Sequence, residues 1–275
     1  MDEIDTGSHE DPLRAAQRRH AQAQRLQDLF HQDLGYAPGS QVLEPGCGTG
    51  EQTRILLQRN PAARVLALDP ARASLEHARD LVRAEGLDDV AFVRGDIMRL
   101  PLGEATVDHV FAAHLLEHLP DPIGALIELA RSLKPDGSIT MIEGDHSSCY
   151  FRPASEAARE CWAAFMHART TAGGDPRLGA HLGRLVRQAG LQPVETSPLM
   201  LYIDPRQTEL MRGFVEDTIV PLVEEVREHV VSEGVIDPGV WDRGVGDLAA
   251  VADRPDGFFC YTFFRTIATK IASDA

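Results

Sequence analysis

The 275-residue chain contains few of the features that define several large protein classes. Its four cysteines, Cys47, Cys149, Cys161 and Cys260, are widely spaced and form no Cys-x-x-Cys pair. That argues against a disulfide framework or a zinc ribbon and for reduced thiols. No apolar run approaches the roughly 20 residues of a membrane-spanning helix. The first residues, Met-Asp-Glu-Ile-Asp, are acidic where a secretory leader would be basic, so a cytoplasmic protein without a membrane partner is expected. Basic residues are also scarce, and the formal net charge is −15. Such a chain lacks the positive footprint that offsets nucleic-acid phosphates, and no DNA or RNA partner is expected. The acidic excess gathers in residues 1–11 and 205–256 and reads mainly as solvated surface. There is no internal repeat and no low-complexity linker.

What is present is most informative at residues 42–50, Val-Leu-Glu-Pro-Gly-Cys-Gly-Thr-Gly. A short apolar strand runs into a glycine-rich turn and then a helix, which is how an open α/β sheet holds a nucleoside ligand. Gly46 and Gly48 can take positive φ and let a ligand approach the backbone, and the amides that follow open a helix over 50–59. Dinucleotide sites favour Gly or Ala where this chain has Glu51, so an anionic pyrophosphate is disfavoured. With Glu44 at the strand end, the turn suits a ligand that carries positive charge.

The pattern downstream alternates strand and helix. Asp11-Pro12 starts a helix to about Gln32. Strands are expected at 41–45, 64–69, 90–95, 106–113 and 138–143, with helices at 71–85 and 121–133 between them. Pro135-Asp136-Gly137 reads as a turn into the last of these strands. After a strand at 191–203, the apolar run from Gly257 to Phe264 reads as a closing antiparallel strand. Two connections are far longer than the few residues such links need: 144–174, and 205–256 with a helical stripe of Leu210, Phe214, Ile219, Leu222 and Val226. The expected fold is α/β: a doubly wound, mostly parallel sheet with an antiparallel last strand. Residues 1–10 form a tail, 11–275 one domain with 11–143 as its cofactor half, 144–174 and 205–256 are cap insertions, and 257–270 is the closing strand.

The series VLEPGCGTG, Arg64–Asp69, Val90–Asp96 and Val107–Ala113 followed by His-Leu-Leu-Glu-His-Leu-Pro-Asp-Pro resembles the class I S-adenosylmethionine-dependent methyltransferases. It is similar in particular to the group around quinone-biosynthesis C-methyltransferases, which act on small molecules. The resemblance covers residues 40–143 closely and the remainder loosely. It implies S-adenosylmethionine as cofactor and S-adenosylhomocysteine as product. It places Glu44, Gly46, Cys47, Gly48 and Gly50 around the methionine portion, with Gln52 and Thr53 in the first helical turn near its carboxylate. Asp69, followed by Pro70, meets the ribose hydroxyls, Asp96 and Ile97 meet the adenine, and the backbone at Ala113 and His114 meets the methionine end.

For catalysis, the segment Glu143-Gly144-Asp145-His146 leaves the fifth strand at the edge of that site, and Glu143, Asp145 and His146 are the candidate residues. His146 paired with Asp145 makes a plausible base. The alternative is that Asp145 caps the next helix while His146 packs on Tyr150. His114 and His118 share a helical spacing, but no third ligand accompanies them, so no metal is expected. The expected function is methyl transfer to an oxygen, nitrogen or carbon atom of a small-molecule acceptor. Alternatives are a cofactor-binding protein without methyl transfer, a methyltransferase acting on protein or RNA, and a nicotinamide-dependent oxidoreductase. The apolar stripe in 205–256 is compatible with a homodimer.

Overall fold

The computed structural model describes residues 12–271; the expected tail at 1–10 lies outside the described residues. The elements run α1 (Pro12–His31), β1 (Gln41–Pro45), α2 (Glu51–Arg59), β2 (Arg64–Asp69), α3 (Arg72–Ala84), β3 (Val90–Arg94), β4 (Val107–Ala113), α4 (Pro122–Ser132) and β5 (Leu133–Arg152). They continue with α5 (Glu156–Thr171), α6 (Leu178–Gln188), β6 (Gln192–Ile203), α7 (Thr208–Phe214), α8 (Val220–Glu224), α9 (Arg227–Ser232), α10 (Pro238–Ala250) and β7 (Phe258–Thr269). The strands form one seven-stranded sheet in the order β3-β2-β1-β4-β5-β7-β6. Pairing is parallel from β3 to β5. β7 returns antiparallel: Asp136 N–H donates to the Lys270 carbonyl and Lys270 N–H to the Gly137 carbonyl.

The chain divides into two compact units. The first, the sheet unit, comprises Gln27–Gly144, Arg177–Leu199 and the described residues from Phe263 on. The strands β1, β2 and β4 are near-continuous apolar runs because helices cover them, the usual reading of parallel strands. Leu43, Leu68, Val110, Ile139 and Met141 from the strands pack with Leu126 and Leu129 of α4 and Leu182 and Val186 of α6. α4 begins at Pro122 because Asp121 accepts the Gly124 N–H at 2.9 Å and proline needs no donor there.

The second, the insertion unit, comprises the described residues up to Leu26, Asp145–Pro176 and Met200–Thr262. α5 starts where the Ser155 hydroxyl accepts the Ala158 N–H at 3.0 Å, and α10 where Asp237 caps Gly239 and Val240. Those two helices cross closely at Gly244, where a Cβ would lie 2.5 Å from the Ala157 carbonyl oxygen and 2.7 Å from the Cys161 Cβ. Trp241, Phe165, Ile219 and Val223 fill the interior.

Two expectations are corrected here. The fifth strand spans 133–152, not 138–143: its Pro135-Asp136-Gly137 segment stays in the ladder through the two bonds to Lys270, and residues 145–152 extend it where helical cap was expected. The stripe in 205–256 also changes phase. A π-helical turn at Val215–Ile219 inserts extra backbone, so the buried set is Met211, Phe214, Val215, Ile219 and Val223, with Leu210, Leu222 and Val226 only partly covered.

Candidate functional site

The glycine turn lies in the sheet unit, between β1 and α2. Gly46, Gly48 and Gly50 all have positive φ, 68°, 51° and 87°. Around the outer two the space is filled: a Cβ would lie 2.5 Å from Leu115 Cδ1 at Gly46 and 2.7 Å from Ala78 Cβ at Gly50. At Gly48 nothing lies within 4 Å, so this is the side on which a ligand can approach the backbone.

Asp69 ends β2, nearly buried, and holds the turn. Its Oδ2 accepts the Gly48 N–H and its Oδ1 the Ala71 N–H, each at 2.9 Å. A carboxylate oxygen has two acceptor positions, so each retains one for a ligand hydroxyl. Cys47 is also buried, tied by its N–H to the Leu68 carbonyl at 3.0 Å, and burial with the nearby Glu44 and Asp69 pushes its thiol up. It contributes backbone, not a thiolate.

Glu44, 3% exposed, receives the Thr53 hydroxyl at 2.6 Å. Burial raises its carboxyl to about 8, with Asp69 adding to the rise and Thr53 opposing it. The Tyr36 hydroxyl is buried without a hydrogen-bond partner among the described residues, and burial together with Glu44 pushes it up. Sequence reading passed over Tyr36 because a lone tyrosine in a loop carries no pattern. Gln52 does not point away as a bare helix-start residue would; its Oε1 lies 2.7 Å from His31 Nε2 at the end of α1. Glu51 is drawn aside, buried 3.6 Å from Arg54 Nε. At neutral pH Glu44 therefore holds its proton in the ligand-free protein, Glu51 is paired with Arg54, and Asp69 is the carboxylate left to give the turn its acidic character.

Asp96 lies past the end of β3, which stops at Arg94. It is exposed, with Oδ1 accepting the Met98 N–H at 2.9 Å, while Ile97 beside it is buried. Pro70 is exposed after Asp69. At the end of β4, Ala113 pairs with Ile142 and His114 takes a left-handed conformation, φ 55°, its N–H donating to the Ile142 carbonyl at 2.9 Å. The His114 ring lies 5.3 Å from Phe30 and 5.4 Å from Phe263. Positive φ at a non-glycine residue stores strain that accumulates at ligand sites. His118 belongs to a 3-10 turn, half exposed and 3.8 Å from Glu117, so the two histidines do not share a helical face. Among the described residues no group of three His, Cys, Asp or Glu side chains is placed to hold a metal.

The expected catalytic segment is divided among three tasks. Glu143 is fully buried; its Oε1 accepts the Leu115 and Leu116 N–H groups at 2.9 and 2.7 Å and so fixes the turn after β4. Burial and the neighbouring Glu117 raise its carboxyl to about 8. Asp145, in the insertion unit, does not pair with His146 and does not cap a helix. Its Oδ1 accepts the Ser147 N–H at 3.0 Å and hydroxyl at 2.5 Å, a local turn that a short carboxylate forms more readily than a contact with the next side chain. His146 is not packed on Tyr150 either. Its Nδ1 lies 2.6 Å from the Tyr261 hydroxyl, and its ring meets Phe165 and Trp162 edge-on at 5.1 and 6.4 Å. Tyr261 was not singled out in sequence because 115 residues separate it from His146.

An open face at Gly48, an acidic side chain near the end of each of β1 and β2, and a mostly parallel sheet with an antiparallel β7 define a Rossmann-like α/β fold. Residues 43–141 match the family described as a methyltransferase domain. It is 34% identical over 134 residues to the methyltransferase GfsG of Streptomyces halstedii, covering 48% of this chain and 46% of the relative. It is 35% identical over 143 residues to trans-aconitate 2-methyltransferase of Deinococcus radiodurans, covering 52% of this chain and 51% of the relative. The chain thus spans about half the length of these curated relatives. Among solved structures, the [4+2]-cyclase SpnF superposes with TM-score 0.58 at 21% identity, covering 90% of this chain and 81% of that one. Phosphoethanolamine N-methyltransferase 2 of Haemonchus contortus, solved with phosphomonomethylethanolamine and S-adenosylhomocysteine, gives 0.55 at 17% identity, covering 91% and 52%. At these identities the likeness concerns the fold.

Proposed function

We propose that the chain transfers the methyl group of S-adenosylmethionine to a small-molecule acceptor. The observation that carries this reading is the Gly48 turn: open on one side, at positive φ, and held by an Asp69 carboxylate that keeps one acceptor position free on each oxygen. Glu44, Gly46, Cys47, Gly48, Gly50, Gln52 and Thr53 would surround the methionine portion. Asp69 and Pro70 would meet the ribose, Asp96 and Ile97 the adenine, and Ala113 and His114 the turn beside the methyl group. When bound, the cofactor supplies an electrophilic methyl on a sulfonium. The protein's part is to hold the acceptor in line with it and to exclude water, and such positioning contributes roughly 7–11 kcal/mol. Glu143 keeps the turn after β4 in place, and His146, held through its backbone by Pro176 and Trp162, is the proposed base.

A small acceptor, and not nucleic acid, is favoured by the net charge of −15. Among the described residues no helix is long and apolar enough to cross a membrane. The test is to identify the nucleoside that co-purifies with the protein and to follow a labelled methyl group from S-adenosylmethionine into an acceptor panel. S-adenosylhomocysteine and a methylated product support the proposal. A nicotinamide dinucleotide refutes it, and a bound nucleoside with no transfer to any acceptor would favour cofactor binding without methyl transfer.

A further inference from the structure

Resting on the cofactor reading above, we propose that His31 is a positioning residue for the ligand: it holds the side-chain oxygen of Gln52, so that Gln52 offers its amide N–H groups to the carboxylate of the methionine portion. His31, Gln52 and the glycine turn all belong to the sheet unit. The imidazole is 1% exposed and stacks on Phe111 of β4, with ring centroids 4.7 Å apart and planes 27° from parallel, which fixes its plane. Its Nε2 lies 2.7 Å from Gln52 Oε1, while its Nδ1 is buried with no hydrogen-bond partner among the described residues. Burial lowers the imidazole to about 4, so at neutral pH the ring carries a single proton.

That proton has two places to be, and they are not equivalent. On Nε2 it is donated to the Gln52 side-chain oxygen, and the buried Nδ1 is a bare acceptor. On Nδ1 it would be a buried N–H facing no acceptor, and the Gln52 amide would have to turn over to donate to Nε2. Orphaned buried N–H groups are rarer in folded proteins than under-satisfied acceptors, so the first arrangement is favoured. Gln52 is the second residue of α2, directly after the glycine turn, and is only half-buried. With its oxygen engaged it has only N–H donors left to give. Such a group suits a carboxylate and not an ammonium, whose own hydrogens need acceptors. The first turn of a helix favours an anion for the same reason. The neighbouring cation does not compete, since Arg54 lies 3.6 Å from Glu51 and 3.7 Å from Glu85. A neutral amide, oriented from the end of α1, thus selects the carboxylate end of a ligand seated at the open face of Gly48.

The test uses the full chain with S-adenosylhomocysteine and its decarboxylated analogue, which keeps the amine and lacks the carboxylate. Nitrogen NMR of the ligand-free, histidine-labelled protein should show His31 protonated on Nε2, and protonation on Nδ1 would overturn the proposal. By calorimetry the wild type should bind S-adenosylhomocysteine about tenfold or more tighter than the analogue, the usual effect of a hydrogen bond to a charged group. Gln52→Leu and His31→Phe should each bring the two affinities together by weakening S-adenosylhomocysteine alone. His31→Gln, which restores an N–H near the Nε2 position, should keep the preference. A packing role for His31 would lower both affinities alike in His31→Phe, and that unchanged ratio would overturn the proposal, as would an unchanged ratio in Gln52→Leu. If His31→Phe does not fold, the Gln52→Leu ratio and the nitrogen spectrum decide. A wild type that binds neither nucleoside refutes the cofactor reading and the proposal with it, whereas one that binds both equally refutes only the role given to His31 and Gln52.

Discussion

At the scale of single residues the proposed cofactor site depends on where carboxylates are allowed to be charged. Glu44 is buried, with Asp69 close by, and its carboxyl sits at about 8, so at neutral pH it carries a proton in the ligand-free protein. A sulfonium ligand favours the ionised form, and binding should release that proton. Affinity for S-adenosylmethionine should therefore rise as pH increases from 6 to 8, by at most about tenfold per unit, and level off above 8. Calorimetry across that range checks it: Glu44→Gln should flatten the dependence, and an equally steep slope in that variant would assign the proton elsewhere. Much of this site was legible in sequence. The glycines, Glu44 and Asp69 lie within 26 residues of one another, and local chain geometry brings them together. Adjacency in sequence does not make Asp145 and His146 a pair: Asp145 turns to Ser147 and His146 to Tyr261 on another strand. No local pattern announces a partner 115 residues away.

At the scale of elements, the end of α1 is the most instructive. In the sheet unit, Phe30 meets Phe263 edge-on at 4.9 Å, the Gln32 carbonyl accepts from Arg265 at 2.9 Å, and His31 stacks on Phe111 while bonding Gln52. Burial lowers the His31 imidazole to about 4; the Gln52 bond opposes the shift and Arg59 adds to it. The unfolded chain takes up a proton near 6.5, so in this interval the unfolded state binds more protons and stability rises with pH. The His31 contribution is full above pH 6.5 and is lost as pH falls toward 4, by up to about 3 kcal/mol. Urea unfolding between pH 7 and 4 should show a shallower acid loss in His31→Gln than in the wild type; parallel curves would contradict the role of this residue. The sequence located α1, α2, β1, β2 and β4 because their caps, glycines and apolar runs are local signals. It missed the length of β5, where a proline-aspartate-glycine run that favours a turn in isolation is held extended by bonds to Lys270. The phase of the second insertion was likewise hidden, since a 3.6-residue stripe has no way to register a π-helical turn.

At the scale of the whole molecule, the two long insertions and the start of α1 gather into one compact unit, and the residues proposed to bind the nucleoside belong to the other. Asp145–Pro176 and Met200–Thr262 should accordingly exchange amide hydrogens as one cooperative unit. The close crossing of α5 and α10 at Gly244 offers a specific perturbation. Gly244→Leu places side-chain atoms where a Cβ alone would already crowd the Ala157 carbonyl, and overpacking of this kind costs about 1–3 kcal/mol. Exchange should accelerate in both insertions together while β1 and β2 keep their protection. Acceleration in one insertion alone would show that they do not act as a unit. A dependence of exchange in 205–256 on protein concentration would identify a subunit contact there.

The central claim is that Asp69 holds the ribose of a bound S-adenosyl nucleoside beside the open face of Gly48. The direct measurement is calorimetric titration of S-adenosylhomocysteine into the wild type and a folded Asp69→Ala variant, with Asp96→Ala for comparison. Loss of two charge-assisted hydrogen bonds, each about 1.5–3 kcal/mol, should weaken binding at least 100-fold in Asp69→Ala and far less in Asp96→Ala, whose carboxylate is exposed. Equal affinity in wild type and Asp69→Ala would contradict the account.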